Sequence, residues 1–182
     1  MSKNAMTSKL TLQLQQAATD PEDIFDLVCV GFGPASLAIA VALHDRGVRA
    51  KVLFIERQRS FSWHAGMLLP NARMQISFMK DLATLRDPRS KFTFVNYLKT
   101  KDRLVAFTNL STFLPLRDEF NDYLTWCASQ FEQDVRYCQE TISILPINSC
   151  QEPVKSWQVV SKDVNTNRQG FVTARHVVVA IG

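Results

Sequence analysis

Apolar positions fall in three rhythms along the chain. Asp26-Leu27-Val28-Cys29-Val30 is a short apolar run that breaks at Gly31-Phe32-Gly33-Pro34-Ala35-Ser36. An alanine-rich stretch then extends to about Arg46, and a second apolar run, Lys51-Val52-Leu53-Phe54-Ile55, ends in Glu56. Short continuous apolar runs bounded by turn residues read as buried strands, so Asp26 to Glu56 predicts strand, turn, helix, strand. Gly47, after His44, Asp45 and Arg46, is the expected left-handed cap of that helix. Lys91 to Leu98 predicts a short helix behind Pro88, reaching about residue 100. From Arg117, the residues Phe120, Tyr123, Leu124, Cys127, Ala128 and Phe131 keep the three–four spacing of one helical face. Asp118 and Glu119 stand in its first turn, where the helix dipole favours carboxylates. Trp126 falls off that face and is expected to meet a neighbour or a further domain. Beyond Val135 the pattern turns to strands: Trp157 to Ser161 alternates, Asn165 to Gly170 reads as a hairpin connection, and Phe171 to Thr173 returns. His176 to Gly182 reads as a fully apolar strand of a parallel sheet.

The spacing between Asp26 and Glu56 has a chemical reading. A dinucleotide needs a sharp turn (Gly31), close backbone approach to its pyrophosphate (Gly33), and the free N–H groups of a helix start. Glu56, twenty positions past Ser36, stands where a carboxylate accepts from a ribose hydroxyl. Ser36 replaces the usual third glycine. Pro34 suits the first helical turn, where its missing N–H costs little, and leaves the amides around Gly33, Ala35 and Ser36 as phosphate donors. The expectation is an α/β fold, a Rossmann-like domain with a parallel sheet, a crossover helix and a β-meander. An ordinary strand–helix–strand unit without ligand is the plain alternative.

At 182 residues and 46% apolar content the chain can bury one substantial core. The polar, glutamine-repeating residues 1–23 read as a flexible leader, with one domain over 24–182. The net charge of +4 comes from scattered lysines and arginines without aromatic interleaving, which argues against nucleic-acid binding. Cys29, Cys127, Cys138 and Cys150 have neither paired nor metal-ligand spacing, so they suit a reducing compartment and give no metal site. No run is long enough to span a bilayer. A cytoplasmic protein without membrane partners is expected, and homo-oligomerisation is left open.

The stretch from Phe61 to Asp87 lacks periodicity, and a long connection of this kind tends to be functional. Trp63, Met67, Met74 and Phe78 could form an apolar wall against a flat ring, with Gln75, Ser77 and Lys80 as polar points. A loop tucked onto the core is the alternative. Its residues Phe61-Ser62-Trp63-His64-Ala65-Gly66-Met67-Leu68-Leu69-Pro70 and Met74-Gln75-Ile76-Ser77-Phe78-Met79-Lys80-Asp81-Leu82 closely resemble the microbial N-hydroxylating flavin monooxygenases. These are the L-ornithine N5- and L-lysine N6-monooxygenases of hydroxamate siderophore synthesis. Gly31-Phe32-Gly33-Pro34 looks like that family's FAD turn. Asp81 to Pro88 and Phe92 to Leu98 are more similar to its ornithine branch. Met79 departs from the family's more common leucine. Family members also continue beyond this length, so an NADPH-binding domain is expected to be absent and the FAD-binding domain partial.

The resemblance implies FAD and NADPH as cofactors, and L-ornithine and O2 as substrates. NADPH would reduce FAD, and the flavin would then deliver oxygen to the side-chain amine. By the same resemblance Lys80 would hold the α-carboxylate, and Gln75 would act at the flavin edge as the catalytic positioning group. Trp63, His64 and Met74 would line the isoalloxazine, and Gly31, Gly33, Pro34, Ser36 and Glu56 would serve the ADP half. A truncated FAD-binding fragment without turnover is the alternative. A disulfide reductase lacks its thiol pair here, and an NAD-dependent dehydrogenase leaves Trp63 to Lys80 unexplained.

Overall fold

A computed structural model describes residues 24–147 and 153–181. The expected leader, Cys150 and Gly182 lie outside the described residues. Strand β1 (Ile24–Val30) leads through the glycine turn into helix α1 (Pro34–Asp45), which returns the chain to β2 (Val52–Ile55) beside β1. β1 and β2 are parallel, with Leu27 opposite Val52 and Val30 opposite Ile55. The end of α1 is closed as the sequence suggests. Gly47 takes φ +62, its N–H donates to the His44 carbonyl, and the Val48 N–H donates to the Leu43 carbonyl, the paired bonds of a glycine-capped helix end.

Three helices follow: α2 (Phe94–Thr100), α3 (Leu104–Asn109) and α4 (Arg117–Ala128). Thr93 caps α2 by accepting the Asn96 N–H, so this helix starts three residues later than the apolar run implies. The face of α4 expected to be buried is buried from Phe120 to Ala128. Of the two partners expected for Trp126, the structure shows a neighbour: it packs on Tyr97 of α2 within this chain, at 5.7 Å between ring centroids. Phe78, Phe94, Phe107, Phe120 and Tyr123 form one aromatic cluster beneath these helices. Such rings meet edge-to-face or offset, which adds to their burial.

After a 3-10 segment, β3 (Val135–Arg136) pairs with β2, and β4 (Gln139–Pro146), β5 (Trp157–Asp163) and β6 (Gln169–Val179) form an antiparallel meander. The six strands make one sheet in the order β3-β2-β1-β6-β5-β4. β6 serves both halves. Gln169 to Ala174 pair antiparallel with β5, and Thr173 to Val179 pair parallel with β1. The two short strands expected after Phe171 are therefore one, and its exposed Arg175, His176 and Val179 make it less buried than a wholly apolar run suggests. Alternation along β1 and β2 divides the core. Cys29 and Phe54 join the aromatic cluster, whereas Val28, Val30, Leu53 and Ile55 pack on the opposite face with Val159 and Ala174.

Candidate functional site

β1 connects through α1 to β2 on one side and lies against β6 on the other. Where the chain leaves a central strand in both directions, the carboxyl ends of the strands part and a crevice opens. A groove of about 690 Å³ lies there. Val30 and Gly31, Gly33 to Ala35, Ile55 and Glu56, and Ala180 at the end of β6 line it. Trp63 and His64, and Gln139 to Thr141 of β4, also line it. Its size falls within the range of cofactor pockets.

The two glycines of the turn differ in what they answer to. Gly31 has φ +91, and a Cβ placed on it would collide with the Ala180 carbonyl oxygen. Its bare backbone is required by the packing of β1 against β6. Gly33 has an ordinary φ of −87, and no atom of the described residues beyond its chain neighbours lies within 4 Å of a Cβ placed there. A side chain on Gly33 would project into the groove. No neighbour among the described residues demands glycine at that position, whereas a ligand lying against the turn would.

Gly33 caps α1, whose first carbonyl acceptance is the Leu37 N–H onto the Gly33 oxygen. The N–H groups of Ala35 and Ser36 precede that bond and have no acceptor within the helix, and Pro34 has none to offer. This end suits an anion. Across from it, Glu56 closes β2 with both carboxylate oxygens engaged. Oε2 accepts the Phe32 N–H at 2.7 Å and Oε1 accepts the Gln58 N–H at 2.8 Å. Each oxygen has a second lone pair for a hydroxyl in the groove. On β4, a bulge between Thr141 and Ser143 interrupts the ladder with β5. The Thr141 hydroxyl there is buried without a hydrogen-bond partner among the described residues.

Of the residues singled out by sequence, Gly31, Gly33, Pro34, Glu56, Trp63 and His64 come together on the groove. Ser36 lies beneath it, fully buried, with its hydroxyl unpartnered among the described residues. Met74, Gln75 and Lys80 lie apart from the groove lining, on a segment held against residues 113–116. There the Met74 N–H donates to the Pro115 carbonyl and the Phe78 N–H to the Phe113 carbonyl. Met74 is buried in the aromatic core, while Gln75 and Lys80 are exposed. Lys80 has no ion-pair partner among the described residues, because the adjacent Asp81 carboxylate is occupied by backbone N–H groups and Thr84. Two contributions are not apparent from sequence. The strip Gln139 to Thr141 carries no motif, and Arg117 lays its guanidinium 4.7 Å from the Trp63 ring centre.

Residues 23–182 match the L-lysine 6-monooxygenase/L-ornithine 5-monooxygenase family. The chain belongs to that family. It is 56% identical over 178 residues to the L-ornithine N(5)-monooxygenase of Emericella nidulans, covering 90% of this chain and 36% of the relative. The ornithine hydroxylase PvdA of Pseudomonas aeruginosa superposes with a TM-score of 0.82 at 43% identity, over 87% of this chain and 39% of that one. An ornithine N-hydroxylase of Kutzneria sp. 744, KtzI, described with reduced FAD, NADP+ and L-ornithine, has the same TM-score at 45% identity, over 87% of this chain and 37% of that one. The chain thus spans about a third of the length of the curated relatives it matches. Among the described residues no helix is long and apolar enough to cross a membrane, and no group of three or more His, Cys, Asp or Glu could hold a metal ion.

Proposed function

We propose that this chain supplies the FAD-binding part of an FAD- and NADPH-dependent monooxygenase that hydroxylates the side-chain amine of L-ornithine, as in hydroxamate siderophore synthesis. The observation that carries the FAD reading is the open face of Gly33, set between the free amides of α1 and the Glu56 carboxylate. The names of the most similar relatives favour ornithine over lysine.

When bound, FAD would supply the oxygen-transfer chemistry, with NADPH as reductant and O2 as oxidant, and the protein's task is to hold, orient and exclude water. The Ala35 and Ser36 amides take the diphosphate, and the remaining lone pairs of Glu56 accept from ribose hydroxyls. Trp63 and His64, their rings tilted 60° to each other, continue the groove beside the isoalloxazine. Lys80, without an ion-pair partner among the described residues, offers its ammonium to the α-carboxylate of the amino acid, with exposed Gln75 on the same segment as the polar group toward the reacting end. The substrate amine has to shed its proton to react. An alkylammonium of this kind has an ordinary pKa of about 10.4, and burial lowers that value by disfavouring the cation.

The test supplies the rest of the chain from the Emericella nidulans relative and measures NADPH oxidation and hydroxylated product against ornithine concentration. Ornithine-dependent product is the expected result. Lys80→Ala is expected to raise the ornithine KM at least about tenfold, the loss of one charge-assisted contact. An unchanged KM removes Lys80 from the carboxylate role. FAD retained without ornithine-dependent product would favour a flavin-binding piece without turnover.

A further inference from the structure

We propose that Asp81 is a positioning residue that sets the Lys80 ammonium for the substrate carboxylate; the inference rests on the Lys80 reading above. Its carboxylate makes four hydrogen bonds. Oδ1 accepts the Ala83 N–H at 2.9 Å and the Thr84 N–H at 2.6 Å, and Oδ2 accepts the Thr84 hydroxyl and the Phe94 N–H, each at 2.7 Å. The Phe94 bond crosses thirteen positions and ties the turn carrying Lys80 to the first residue of α2. Leu82 is tied as well: its N–H donates to the Tyr123 hydroxyl at 3.1 Å, which itself donates to the Phe92 carbonyl at 2.8 Å.

The other flank of Lys80 is held independently. Phe78 stacks on Phe113 at 5.8 Å and meets Phe107 edge-on, while Ser77 accepts the Met79 N–H through its hydroxyl and the Lys80 N–H through its carbonyl. The backbone of an exposed lysine is therefore clamped on both sides while its side chain stays in solvent. Asp163 closes the turn between β5 and β6 with as many hydrogen bonds, and at Asp81 the same device fixes the backbone beside an exposed lysine. A turn that presents a cation at one place gains from it, because less motion is lost when the ligand binds. Asp81 also has no acceptance to spare for the neighbouring lysine, which keeps that ammonium available.

The test is a double-mutant cycle in the flavin-loaded protein, with the remainder of the chain supplied as above. Asp81→Asn leaves one acceptor where there were two and turns an N–H donor toward its former partners. The expected result is an ornithine KM raised about tenfold, the scale of a small misplacement of a binding group, with kcat altered less than about twofold and flavin content retained. In a Lys80→Ala background the same substitution is expected to add nothing to KM, since both act through one contact. An equal rise in both backgrounds, or none in either, overturns the proposal. If Lys80→Ala alone leaves KM unchanged, the carboxylate reading fails and this proposal with it. If KM responds to Lys80→Ala but not to Asp81→Asn, only this proposal fails. Should Asp81→Asn lose its flavin, Thr84→Val, which removes one of the four bonds, replaces it. A smaller KM rise confined to the Lys80 background supports the proposal, and no rise overturns it.

Discussion

The Phe32 N–H donates to the Glu56 carboxylate across the head of the sheet, at 2.7 Å. The acid that ends β2 therefore holds the glycine turn after β1 in place, and its other oxygen holds the start of its own loop through Gln58. Both strand ends gain from one charge. Glu56→Gln keeps one acceptor and turns an amide donor toward an N–H, so a stability loss of about 1–3 kcal/mol is expected. Chemical denaturation checks it, and an unchanged midpoint would show the bond to be dispensable.

Gly31 and Gly33 are expected to separate fold from ligand. Gly31→Ala forces a left-handed φ on a residue with a Cβ and drives that Cβ toward the Ala180 carbonyl, for a loss of about 2 kcal/mol or more. Gly33→Ala meets no atom of the described residues and is expected to change stability by less than about 1 kcal/mol. Thermal unfolding of the two variants side by side decides the matter. Equal losses would contradict the division.

Tyr123→Phe removes the acceptor for the Leu82 N–H and the donor to the Phe92 carbonyl in a fully buried position. Leaving such groups unmatched costs about 1–3 kcal/mol, which lowers Tm by several degrees in a domain of this size. Calorimetry of the variant measures it, and a Tm within a degree of the parent would show that the two backbone groups find other partners.

Alkaline pH is expected to unfold the protein. Burial pushes the Cys29 thiol from 9.0 up to about 11. Burial, then the Asp122 and Glu119 carboxylates, push the Tyr97 phenol from 10.0 up to about 12. Tyr123 and Cys127 are raised in the same direction by burial. Each folded value lies above its unfolded one, so the folded state holds these protons more tightly. Their stabilisation is complete below about pH 9 and is lost as pH climbs through 11 to 12. Circular dichroism against pH checks the window, and unaltered stability from pH 9 to 12 would contradict it.

β1, α1 and β2 were legible because two apolar runs flank a glycine turn, and each signal is contiguous in the chain. The buried face of α4 was legible because its periodicity runs through the whole helix. α3 was not: only Phe107 of its six residues is buried, and Arg103 offers no side-chain cap, so neither period nor boundary stands out. The β4 wall of the groove failed for a different reason. Its mostly half-buried and exposed residues and its bulge erase the alternation, and its place beside Glu56 depends on pairing across the sheet. The partner of Trp126 was left open because it leaves the main face of α4, and it finds Tyr97 on the adjacent helix. At the site, Gly31, Gly33 and Glu56 follow from spacing. The anchoring of Lys80 by Asp81 and Phe78 arises from contacts distant in sequence.

Titration of the purified protein with FAD, followed by flavin fluorescence, decides whether the groove at Gly33 takes FAD. Saturable binding is expected, weakened at least about tenfold by Gly33→Val with the fold retained, since the added side chain enters the space a diphosphate would fill. Equal affinity for FAD in the parent and in Gly33→Val, or no binding by a folded parent, would contradict the account.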